Sequence, residues 1–139
     1  MRSPSSWDKV KCDYVLDDTD EKEIARLLIG RSVVEADSDL GYMVLDDGTR
    51  LSVVGNEGCG GCESGWYEVK GIAEVRNAIT SVETDVRIVP DTYGEDKVYR
   101  IYVVADGIRT ELLNVSGSDG NGYYGTGYEI FVTLPKEAV

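Results

Sequence analysis

Cys59-Gly60-Gly61-Cys62 is the one pair of thiols in this chain spaced for joint chemistry. It lies within a glycine run from Gly55 to Gly65 that leads directly into Trp66 and Tyr67. A second run, from Gly117 to Gly127, contains Asn121-Gly122-Tyr123-Tyr124-Gly125-Thr126 and is followed by Tyr128. The two runs hold ten of the 16 glycines, and glycine collects where the backbone needs positive φ or must approach something closely. Rings beside such loops offer flat faces for stacking and polar tips for hydrogen bonds. The chemistry this pattern serves is capture of a small molecule, with backbone amides facing phosphate or ribose oxygens and rings on a base. The ligand-binding residues it nominates are Asn56, Glu57, Trp66, Tyr67, Asn121, Tyr123, Tyr124, Thr126 and Tyr128.

The cysteines have three readings. C-x-x-C is the correct half of a zinc site, but a structural zinc takes four Cys or His ligands. Only Cys12 remains as a third thiol, so a monomeric site needs a carboxylate, or a dimer must share two pairs. A redox pair should open a helix, and here glycines surround the motif and a strand pattern follows. The plain reading is two small side chains shaping a tight loop. No tightly bound zinc and no cofactor is expected; were a metal present, Cys12, Cys59 and Cys62 would be its first ligands.

The second run can form an anion-binding nest of successive amides. It lacks the Lys-Ser/Thr ending of a P-loop, and a strand rather than a helix follows, which also excludes a dinucleotide fingerprint. Asp119 and Asn121 resemble calcium ligands, but the other acids of an EF-type loop are missing. The plain reading here is a hairpin connection whose tyrosines pack on the sheet.

The chain has 139 residues and no histidine. That removes the commonest general base, the usual Ser-His and Cys-His pairs, and the commonest metal ligand. No catalytic residue is nominated, and the balance points away from an enzyme. A net charge of −12 argues against nonspecific nucleic-acid binding, since phosphates would be repelled. It suits solubility or docking on a basic protein. No segment approaches the ~18 apolar residues of a membrane span. The N-terminus is polar, without an apolar stretch of secretory type, and three cysteines fit a disulfide scaffold poorly. A reducing cytoplasm is the expected home.

The elements that must position these loops are mostly strands. Residues 1–12 read as a loose arm and 13–139 as one domain. A helix is expected from Asp20 to Ile29, with capping-box spacing at Asp20 and Glu23 and Thr19 as a rival N-cap, an apolar stripe of Ile24, Leu27 and Leu28, and a stop at Gly30. The acidic cluster Asp13, Asp17, Asp18, Asp20, Glu21 and Glu23 suits the positive end of its dipole. Strand patterns follow at 32–36, 42–45, 49–54, 66–75, 81–89, 98–105, 108–115 and 128–134, with turns at Asp46-Asp47-Gly48 and Asp106-Gly107. Val82, Thr84, Val86 and Ile88 alternate with Ser81, Glu83, Asp85 and Arg87, as in a strand with one wet face. The expected fold is α+β: one N-terminal helix followed by a mainly antiparallel, strongly curled sheet or small barrel-like roll of about eight strands.

Leu45-Asp46-Asp47-Gly48-Thr49-Arg50-Leu51, the stretch from Gly55 to Tyr67, and that from Asp119 to Tyr128 carry a further signal. Through them the chain resembles a family of small uncharacterised proteins, a domain of unknown function, frequent in actinobacterial phages. The resemblance implies an accessory phage protein in the cytoplasm of the infected host and supplies no catalytic residue. The expectation is a non-enzymatic binding protein that sequesters a nucleotide-type signalling molecule of host defence, with Arg50, Arg76, Arg100 or Arg109 offsetting the negative field locally. The alternatives are an acidic inhibitor that occupies a basic host protein and a metal-stabilised structural module. Both loops should lie at one end of the sheet, within one chain or across a homo-oligomer interface.

Overall fold

The computed structural model describes residues 12–55, 64–91, 94–120 and 127–135. Among them are nine strands and one helix: β1 (Tyr14–Asp17), α1 (Glu21–Leu28), β2 (Val33–Asp37), β3 (Tyr42–Leu45), β4 (Arg50–Gly55), β5 (Ser64–Ile72), β6 (Ile79–Asp91), β7 (Gly94–Ala105), β8 (Ile108–Gly120) and β9 (Tyr128–Thr133). The strands form two fully antiparallel sheets, one ordered β1-β9-β4-β3-β2 and the other β5-β8-β7-β6.

This corrects the expected α+β roll in two respects. The fold is mostly β in two sheets, with no closed barrel among the described residues. The helix is also not the first element, because β1 precedes it and pairs with β9 from Tyr14↔Val132 to Asp17↔Glu129. The barrel fails to close for a reason of connectivity. The chain leaves β4 after Gly55 and re-enters at Ser64, where β5 pairs with β8 rather than continuing the first ladder.

Period-2 alternation builds the core between the sheets. Met43, Leu45, Leu51, Val53, Ile130 and Val132 point in from the first sheet; Val69, Tyr99, Ile101, Val103, Leu113 and Val115 point in from the second. The helix closes one side with Ile24 and Leu28. Its N-cap is Asp20, as expected, but the capping box does not form: the Asp20 carboxylate accepts the Asp17 N–H at 2.9 Å instead. At the other end the Gly30 N–H donates to the Ile79 carbonyl at 2.8 Å, tying the helix exit to β6.

Candidate functional site

Two cross-strand pairs locate both glycine runs. Gly55, the last residue of β4, is the ladder partner of Tyr128, the first of β9. Ser64, the first residue of β5, is the partner of Gly120, the last of β8. The connections 56–63 and 121–126 therefore leave from the same end of the molecule, and each passes from one sheet to the other. Asn56, Glu57, Cys59, Cys62, Asn121, Tyr123, Tyr124 and Thr126 lie outside the described residues, as does the Trp66 side chain.

The roots themselves are built closely. A Cβ on Gly55 would run into the Tyr67 carbonyl, so the end of β4 and the start of β5 touch backbone to backbone. Beneath this junction, three tyrosines stack edge to face. Tyr99 lies 5.6 Å from Tyr67 and 5.8 Å from Tyr128 between ring centroids, at interplanar angles of 68° and 81°. Tyr67 is 1% exposed and Tyr128 2%. The structure thus places these two nominated residues inside the core, where they anchor the exit of each loop and offer no ring face to solvent. Sequence reasoning missed Tyr99, the ring that joins them. Its signal was the inward phase Tyr99, Ile101, Val103 within β7.

A second missed residue is Asp18. It accepts a hydrogen bond from the Tyr128 N–H, and a Cβ on Gly127, which has φ 74°, would overlap its carboxylate. Burial first, then the charge of Asp17, holds the Asp18 carboxyl above the ordinary carboxylate range; Lys97 nearby acts the other way. The Tyr128 hydroxyl is pushed up strongly, by burial and then by Asp18. A carboxyl with a raised folded pKa binds its proton more tightly folded than unfolded. Its favourable contribution is complete below the unfolded pKa and is lost as pH rises through the folded one. Asp18→Asn keeps an acceptor for the Tyr128 N–H, so it is expected to melt above the wild type at pH 7. That gain should shrink as pH falls through the raised pKa; a gap independent of pH would show that the ionised group costs nothing here.

The rest of the acidic cluster also has local work. The Asp17 carboxylate accepts from the Thr19 N–H and hydroxyl, which lowers its pKa, and Asp13 accepts the Leu134 N–H at 2.7 Å. The first is a local turn; the second fastens the entry segment to the chain just after β9.

The nominated arginines stand away from the loop roots. Arg50 opens β4 at the end opposite Gly55 and lies 4.1 Å over the Tyr42 ring. Arg109 follows the β7–β8 turn, stacks on Tyr102 and pairs with Glu83 at 2.9 Å. Arg100 Nε sits 3.0 Å from Glu111 Oε1, at an angle too bent for a hydrogen bond. Arg76 lines a depression with Val33, Val34 and Glu74. Lys97 is the cation beside Asp18. Cys12 lies two residues before Tyr14, whose partner Val132 is itself four residues or roughly 13 Å of strand from Tyr128. Among the described residues no group of three Cys, Asp or Glu gathers as a metal site. A shallow cleft of about 280 Å³ opens at the β5 bulge near Gly71, lined by Ser38, Ile72, Glu111 and Asn114, at the far end of β5 from the loops.

Fold and site together define a small two-sheet β protein that displays paired glycine-rich connections at one end. The chain belongs to the family described as Domain of unknown function (DUF7448), whose model matches residues 26–130. No curated protein and no solved structure matches it. Among the described residues no helix is long and apolar enough to cross a membrane.

Proposed function

We propose that this is a phage-encoded, non-enzymatic accessory protein of the infected host's cytoplasm that captures a nucleotide-type signalling molecule between its two glycine loops. The pairing of Gly55 with Tyr128 and of Ser64 with Gly120 is the observation that supports this reading most, because it roots both loops side by side. The phage setting rests on the resemblance of the loop motifs. Tyr67 and Tyr128 serve as anchors, so stacking falls to Trp66, Tyr123 and Tyr124. Asp18 at the foot of the second loop favours hydrogen-bond donors, such as the amino edge of a base, over a phosphate. The phosphate would face loop amides, since the arginines are elsewhere and Lys97 lies beside Asp18.

A thermal-shift screen of cyclic and linear nucleotides tests this. A ligand at ~100 Kd adds about 2.7 kcal/mol to the stability of the state it binds, an easily measured rise in Tm. Tyr124→Ala should abolish the rise without altering the unliganded melt. Charge reversal at exposed Asp39 and Glu74, away from the loops, should leave it intact. No shift with any nucleotide, together with salt-sensitive capture of one basic host protein that these reversals weaken, would replace the ligand reading with the inhibitor.

A further inference from the structure

β6 is the outermost strand of the second sheet. Its first residue is held by Gly30 and Arg31 of the helix exit, but from Ser81 to Val89 no described element pairs with its outer edge. Pro90 fixes which groups face outwards. It sits opposite Glu95 in the β6–β7 ladder, and a residue without an N–H fits there only if its nitrogen points away from β7. Direction alternates along an antiparallel ladder, and the β6–β7 register runs without a shift from Ser81 to Asp91. Thr84, Val86 and Ile88 therefore turn their N–H and C=O groups to the open edge.

Proteins usually blunt such an edge with proline, a bulge or charged side chains; here the bulge at Ile79/Ser81 and Pro90 stand at the two ends of β6, and Ser81–Val89 between them carries charges of both signs, Glu83, Asp85 and Arg87. Val86 is 51% exposed and Ile88 54%, although both point to the face that buries Tyr99 and Ile101 further in. On the other face lie Glu83, Asp85 and Arg87. Glu83 is taken by Arg109, and Arg100, the ladder partner of Asp85, by Glu111. Asp85 and Arg87 have no ion pair among the described residues.

We propose that a second copy of this chain occupies this edge, pairing antiparallel through β6 about a twofold axis at Val86. Val86 then exchanges both backbone hydrogen bonds with its own copy, and Thr84 pairs with the partner's Ile88 in the same way. Asp85 faces the partner's Arg87, twice, at the non-hydrogen-bonded positions where side chains approach most closely. Neighbouring registers are worse: an axis at Asp85 opposes two carboxylates, and one at Arg87 opposes two guanidiniums. Charge thus selects one register. It also gives two chains of net charge −12 a local attraction against their general repulsion. The result is a continuous eight-stranded sheet across the dimer, independent of what the loops bind.

Sedimentation velocity over a wide concentration range, at fixed moderate salt, is the test. The wild type should pass from monomer to dimer. Asp85→Arg or Arg87→Asp alone sets like charges across the axis and should raise the dimer Kd at least about tenfold, roughly 1.4 kcal/mol. The double variant Asp85→Arg with Arg87→Asp restores opposite charges and should recover most of the loss. Val86→Pro deletes a donor that faces away from β7, so the chain should melt near the wild-type temperature yet stay monomeric. A wild type that is monomeric throughout, or a dimer indifferent to both the charge changes and Val86→Pro, overturns the pairing.

Discussion

Gly55→Ala is expected to lower the melting temperature by roughly 10 °C, from a loss of about 3 kcal/mol at the upper end of ordinary overpacking costs. The obstacle to the new methyl is the Tyr67 carbonyl and the Glu68 nitrogen, which are backbone atoms in a paired strand. Neither can rotate aside as a side chain would, so β4 and β5 must separate where both loops are rooted. Gly71→Ala supplies the comparison, since a Cβ there meets nothing within 4 Å. It should fall within about 1 kcal/mol of the wild type, because only backbone entropy changes. Equal melting of the two variants would mean that the sheets do not touch at Gly55.

The strands were legible wherever a two-residue period met clear turn residues. Asp46-Asp47-Gly48 turns the chain as expected, with the Thr49 N–H donating to Asp47 Oδ1 at 2.9 Å. The Asp106-Gly107 turn likewise joins β7 to β8. Two things were not legible. β1 is four residues long and flanked by aspartates, so its pairing with β9 depends on a partner more than 110 positions away. Division into two sheets also leaves no local mark: a strand has the same pattern whichever ladder it joins. β6 shows the limit most clearly. Its alternation predicted one dry face, yet Val86 and Ile88 are half-exposed, because periodicity reports a face and says nothing of whether another layer covers it. In the candidate site, the glycines marked the loops, while burial reassigned Tyr67 and Tyr128 from ligand contacts to anchors.

The other large effect expected is at Tyr99. Tyr99→Ala removes the ring that both anchors share, and truncation of a buried aromatic costs about 3–5 kcal/mol. Each edge-to-face contact adds about 0.5–1.5 kcal/mol beyond area burial, and two are lost together. Tyr99→Phe keeps both ring contacts and should cost far less, so the difference in Tm between the two variants reads the ring itself. Position matters as well as magnitude. Tyr67 lies three residues after Ser64, the start of β5, and Tyr128 opens β9 after the second loop, so Tyr99 on β7 couples one exit in its own sheet to the other exit in the facing sheet. Measured well below its own melting temperature, Tyr99→Ala should therefore weaken any ligand held between the loops, although the residue is buried and cannot touch it. Unchanged affinity in a folded Tyr99→Ala protein would show that the loops hold their relative placement without the tyrosine stack. The binding surface would then reside in the loop segments alone.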